Sequence, residues 1–125
     1  MKRDIELERT ILLQIEEEYQ AGEKWIFKFS IEGYSMVVVA EHCKLLFQQG
    51  LIGDYHEVRS KSGLSLFKIA NLTASGYDYL EVIRNEEVWE KTKKEVEEKK
   101  LPKTIEFLAK IAGIITGNVI SEMNT

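Results

Sequence analysis

The adjacent pair His42 and Cys43 is the most suggestive chemistry in the sequence, a base beside a nucleophile. Neighbours on a helix point about 100° apart, so the two cannot act on each other if the stretch is helical. Cys43 falls on the apolar stripe of that helix, which makes it a small core residue rather than a reactive thiol. His56 is the other histidine, and no CxxC or HxxxH spacing occurs, so neither a metal nor another cofactor is expected. No glycine loop of the phosphate-cradling kinds is present. Gly113 and Gly117 form a GxxxG, whose expected use here is close helix packing. The chain does not read as an enzyme.

Recognition of a larger partner is the alternative. Ser35, Lys44 and Gln48 lie off the apolar stripe of the helix that holds His42, and His56, Arg59 and Lys61 lie on the hairpin that follows. Glutamine can pair with adenine in the major groove, lysine with guanine or phosphate, and a serine at a helix N-terminus suits phosphate. Ser60, Ser62 and Gly63 give the hairpin a small flexible tip, and Lys2 and Arg3 add a little positive charge. Met36 and Val37 are unusual leading residues for a base-reading helix, and Glu41 repels phosphate.

These residues are positioned by residues 34–52, YSMVVVAEHCKLLFQQGLI. Ser35 is a good N-cap, and Tyr34 and Val39 have staple spacing. Gly50 suits the left-handed residue that ends a helix, with Leu51 folding back on Leu46 as in a Schellman ending. Val39, Cys43 and Leu46 share the buried face. Before this helix, Asp4 caps one expected to run to about Tyr19 with a stripe of Ile5, Glu8 (by its stem), Leu12, Ile15 and Tyr19, and with Ile11 beside it. The alternating WIFKFSI of residues 25–31 reads as a strand. After it come strands near 51–59 and 66–72, then a helix capped by Thr73 with Tyr77, Leu80 and Ile83 inward. Residues 86–100 interleave charges, Glu87 with Lys91 and Glu90 with Lys94, and read as a solvated helix held by Val88, Trp89, Thr92 and Val96. Pro102 is expected to end it and open the last helix, striped by Ile105, Leu108, Ala112, Ile115 and Val119.

At 125 residues and 14.5 kDa the expectation is one domain. Within it, residues 1–84 form a winged-helix-like core and 85–125 a C-terminal helical extension. The fold class is α+β, mostly helical, in the order helix, strand, helix, hairpin and further helices. A net charge of −4 confines any DNA-binding role to a local patch. One cysteine permits no internal disulfide, and the N-terminal MKRDIELER lacks the apolar run of a signal peptide, so a soluble cytoplasmic protein is expected. The last helix carries Glu106, Lys110 and Asn118 and is too short an apolar run for a membrane span.

Four ordered blocks, MKRDIELERTILLQIE, IEGYSMVVVAEHCKLLFQQGLI, NLTASGYDYLEVIRNEEVWEKTKKEV and LPKTIEFLAKIA, resemble the domain-of-unknown-function twenty-five-thirteen family. The likeness covers nearly the whole chain. It implies a winged-helix protein of bacteria, phages and prophages, and carries no catalytic residues. Ser35, Val39, His42, Cys43, Leu46, Gly50, Leu51 and Ile52 are also similar to the S…V..HL..L...GLI run of bacterial winged-helix regulators. The short helix that precedes the recognition helix there is replaced here by WIFKFSIEGY. The expected function is a weakly DNA-binding transcriptional regulator or accessory factor. The alternative is a protein–protein interaction module on the same scaffold. A homodimer is expected, joined through Phe107, Ile111, Ile114 and Ile115, because the last helix is apolar over a wider arc than one neighbour needs.

Overall fold

Each helix begins at a side chain able to bond the free N–H groups of a first turn. The computed structural model describes the backbone of residues 1–123 and the side chains of residues 1–116. Its order is α1 (Ile5–Glu18), α2 (Met36–Gln48), β1 (Tyr55–Ser60), β2 (Gly63–Ile69), α3 (Ala74–Ile83), α4 (Glu86–Glu98) and α5 (Ile105–Met123), a mostly helical α+β arrangement. Asp4, Ser35, Thr73, Asn85 and Thr104 accept from the N–H groups of Leu7, Val38, Gly76, Val88 and Phe107 respectively. The chain divides into two compact units, Met1–Tyr77 and Asp78–Thr125, the division falling inside α3.

In the first unit α1 packs on α2. Leu7, Ile11, Leu12 and Ile15 of α1 are fully buried, with the whole of Glu8, while Ile5 and Tyr19 are only half-buried. The expected stripe is therefore corrected by a rotation that brings Leu7 inward and Ile5 outward. On α2, Val39, Cys43 and Leu46 are buried as their spacing predicts, together with Ala40 and His42. The helix ends in a Schellman motif: Gly50 has φ +80°, its N–H reaches the Phe47 carbonyl at 2.9 Å, and the Leu51 N–H reaches the Leu46 carbonyl at 3.0 Å. Tyr34 does not staple inward. It is 40% exposed, and its hydroxyl donates to Asp4 Oδ2 at 3.1 Å.

The strand expected over residues 25–31 does not form. Ile26 alone pairs, bonding Ile69 in both directions at 2.7 and 3.3 Å. Lys28 then adopts φ +56°, a left-handed conformation that breaks an extended run. Burial follows the break: Ile26, Phe29 and Ile31 face inward while Phe27 is 65% exposed, which no two-residue period allows. Strands β1 and β2 form an antiparallel hairpin displaced toward the turn from the expected ranges, β1 shorter and β2 shifted by three residues, pairing from Tyr55↔Ile69 to Ser60↔Gly63 with an irregularity between Val58 and Arg59. Leu51 and Ile52 precede it as the buried exit of α2, and Ile52 forms a bridge with Leu72. Thr73 ties the start of α3 to this exit, its N–H bonding the Leu51 carbonyl at 3.0 Å and its hydroxyl donating to the Gly50 carbonyl. Tyr77 is also corrected, being 38% exposed and exchanging hydrogen bonds with the Asn71 side chain.

In the second unit Leu80 and Ile83 are buried, and α4 and α5 pack on each other through Trp89, Thr92 and Val96 from one and Ile105, Leu108 and Ala112 from the other. Glu87 pairs with Lys91 as expected, but Glu90 pairs with Lys93, three residues on, rather than Lys94. Helix α4 ends before Pro102 in a second Schellman motif, with Lys100 at φ +51° and the Leu101 N–H on the Val96 carbonyl at 3.0 Å. Thr104, not Pro102, opens α5. Gly117 and Val119 lie outside the described side chains.

Two stability predictions follow from the helix ends. A Cβ on Gly76 would stand 2.2 Å from the Leu51 carbonyl oxygen, so Gly76→Ala should destabilise by about 1–3 kcal/mol in denaturant melts despite alanine's helix preference. Lys100→Gly relieves left-handed strain and should raise stability by up to about 1 kcal/mol in the same assay.

Candidate interaction surface

Lys44 and Arg59 are brought together by two carboxylates. Lys44 Nζ lies 2.9 Å from Glu57 Oε1 and 3.9 Å from Glu41 Oε1, and Arg59 Nη2 lies 3.0 Å from Glu57 Oε2 and 3.7 Å from Glu41 Oε1. The lysine hydrogen bond and the neighbouring cations hold the Glu57 carboxyl below its ordinary range. Two positive and two negative groups thus cancel where α2 meets β1. Tyr55 stacks on Phe67 beside this cluster, and burial first, then Glu57, pushes its hydroxyl above the ordinary tyrosine range.

The other residues expected to face DNA are dispersed. Ser35 and Gln48 are exposed at opposite ends of α2, about 20 Å apart along the axis. His56 is exposed on β1 opposite Lys68, and Lys61 is exposed in the hairpin turn. On α5, Phe107, Ile111 and Ile115 are half-buried, and Ile114 is 60% exposed.

Apolar surface is concentrated elsewhere in the first unit. A cleft of about 300 Å³ is lined by Phe27, Lys28, Phe29, Met36, Leu66 and Phe67. Phe27, Met36 and Leu66 are exposed by 65, 43 and 49%, and Val58, directly across the hairpin from Leu66, by 42%. Lys68 lies over the rings of Trp25 and Phe27, at 4.4 and 5.6 Å. Leu66 could have been found from the sequence, since strand alternation puts it on the face opposite Phe67 and Ile69. Phe27 could not, because its exposure depends on the unexpected turn at Lys28. Alternation also puts Glu57 and Arg59 on one face of β1, but no spacing rule announces that Glu57 reaches Lys44 on α2.

His42 is fully buried, with Nε2 accepting from the Asp4 N–H at 2.9 Å and Nδ1 2.8 Å from the Val38 carbonyl. A backbone N–H only donates, so Nε2 carries the lone pair and Nδ1 the proton, and the imidazole is a structural bridge. Burial pushes the Cys43 thiol far above its ordinary value, which leaves it inert. Among the described residues no cluster of three or more potential ligands could hold a metal ion, and no helix is long and apolar enough to cross a membrane.

Glu8 is the costly group. It is fully buried, with Oε1 2.8 Å from both Arg3 Nε and Nη2, and Oε2 without a partner among the described residues. Burial raises its carboxyl above the ordinary value, and Arg3 opposes this only in part. A folded-state value above the unfolded one makes stability fall as pH rises through the window between them. Glu8→Gln should therefore be more favourable to stability at pH 7 than at pH 4. Paired melts at the two pH values check this, and an equal effect at both would contradict it.

The family model described as "Hypothetical protein (DUF2513)" matches residues 2–102. An "Uncharacterized protein" of Haemophilus influenzae is 29% identical over 123 residues, which cover 97% of this chain and 100% of that protein. No solved structure matches. The family match takes in α1, α2, the hairpin, α3 and α4, and on that extent the chain belongs to the DUF2513 family.

Proposed function

We propose that this protein is a protein–protein interaction module carried on a helix–hairpin scaffold. The observation that supports it is a division of labour in the first unit. The cations of the α2–β1 face are matched by Glu41 and Glu57, while large apolar side chains at Phe27, Met36, Val58 and Leu66 stand open. A DNA-reading face needs unspent cations, because affinity for the phosphate backbone comes from the counterions they displace. Open apolar surface of this kind gains free energy only when another surface covers it.

The expected regulator remains the reading to beat, and one titration separates the two. Fluorescence polarisation against mixed duplex DNA in low salt should give no salt-sensitive binding up to about 100 μM protein. A photo-cross-linker in place of Phe27, introduced in the native host, should form a discrete adduct with a partner protein. The adduct should disappear in a Leu66→Asp background and be absent when the cross-linker replaces Lys61. Salt-sensitive DNA binding in the micromolar range, weakened by Lys44→Ala with Arg59→Ala, would instead make the protein a DNA binder.

A further inference from the structure

The outer edge of β2 runs beside the apolar cleft at Phe67, which is itself only 5% exposed. Ile69 sends both its N–H and its C=O to Ile26, away from β1. Strand residues alternate in the side to which their backbone groups point, so Leu66 and Lys68 serve β1, and Phe67, like Ile69, points to the outer edge. Had the chain beyond Ile26 continued as a strand, residue 28 would have paired with Phe67. The left-handed turn at Lys28 removes it, and among the described residues no backbone hydrogen bond reaches Phe67 from that side. The vacated slot is the cleft already described, between Phe27, Lys28 and Phe29 on one side and Leu66 and Phe67 on the other.

We propose that this slot accepts an extended segment of a partner protein that adds as a strand to β2 at Phe67, placing a large apolar side chain in the cleft with an acidic residue beside it. The Phe67 backbone supplies a donor and an acceptor that have no partner on this side among the described residues, and the cleft supplies Phe29, Met36 and Phe67 to cover the apolar side chain, the recognition mode of strand addition. The charge preference comes from Lys28, which has no carboxylate partner among the described residues, and from Lys68, held over the Trp25 and Phe27 rings. Ile26 already fills the position opposite Ile69, so an added segment pairs at Phe67 and runs from there toward Gly63. A second copy's β2, GLSLFKI, carries a lysine and no carboxylate and does not meet this charge preference. The inference rests on the interaction-module reading and adds the chemistry of the partner.

The test uses the full chain and two terminally blocked peptides, one alternating valine with glutamate and one alternating valine with lysine, followed by amide NMR. The glutamate peptide should bind at or below about 1 mM, shift the Phe67 amide and slow its exchange, and bind about tenfold more tightly than the lysine peptide. Leu66→Lys should weaken the glutamate peptide about tenfold, and Lys28→Glu should reverse the preference between the two. Both positions lie on the surface, and unchanged spectra of the free variants confirm their folding. No binding of the glutamate peptide, equal binding of both, or an unaltered preference in Lys28→Glu would overturn the proposal. Binding that moves Met36 and Leu66 but leaves the Phe67 amide unchanged would overturn strand addition while the interaction-module reading stands.

Discussion

The exit of α2 at Gly50 and Leu51 is the constraint on which the first unit depends. The Schellman bonds end the helix, and the same two residues then offer their carbonyls to Thr73, so the helix end and the start of α3 share one hydrogen-bonded knot. Ile52, one residue on, bridges Leu72 and begins the path into the hairpin. Gly76 seals the arrangement from above, because only a residue without a Cβ lets α3 sit against the Leu51 carbonyl. The orientation of the hairpin against α2, and hence the meeting of Lys44 and Arg59 with Glu57, descends from this turn.

Two kinds of polar burial coexist in the unit and contribute differently. His42 is fully satisfied: one ring nitrogen ties the N-terminus of α1 to α2 through the Asp4 N–H, and the other bonds the Val38 carbonyl of its own helix. Glu8 is a buried carboxyl with one oxygen unpaired among the described residues and the Arg3 guanidinium to offset it. Breaking such a pair is costly, while replacing it with a neutral group often is not. The surface cluster around Glu57 is milder still, since solvent screens each of its pairs. Its importance is to the face it occupies, which it leaves without net charge.

Much of the scaffold was legible in local rules. Caps at Asp4, Ser35 and Thr73, the left-handed exit at Gly50 and the three-and-four spacing of Val39, Cys43 and Leu46 are short-range signals, and each took the form its sequence predicts. The failures lie where distant contacts decide. Alternation over residues 25–31 suits a strand, but pairing is available only opposite Ile69, and Lys28 then turns away. The α1 stripe was misplaced because Ile5 and Leu7 are both apolar and only the partner helix chooses between them. The candidate surface was half legible. Lys44 and Arg59 could be named as outward-facing cations, but the carboxylate that occupies them sits far from Lys44 in sequence, and pairing across a fold leaves no local trace.

The turn at Lys28 leaves Phe67, on the outer edge of β2, without a backbone partner on that side among the described residues, beside exposed apolar side chains. Residue-resolved hydrogen exchange along β2 in the free protein tests it most directly. Exchange should be slow at Leu66 and Lys68, whose N–H groups face β1, and faster at Phe67 between them. A Phe67 amide as protected as its two neighbours would mean that the edge is already covered, and would contradict the account.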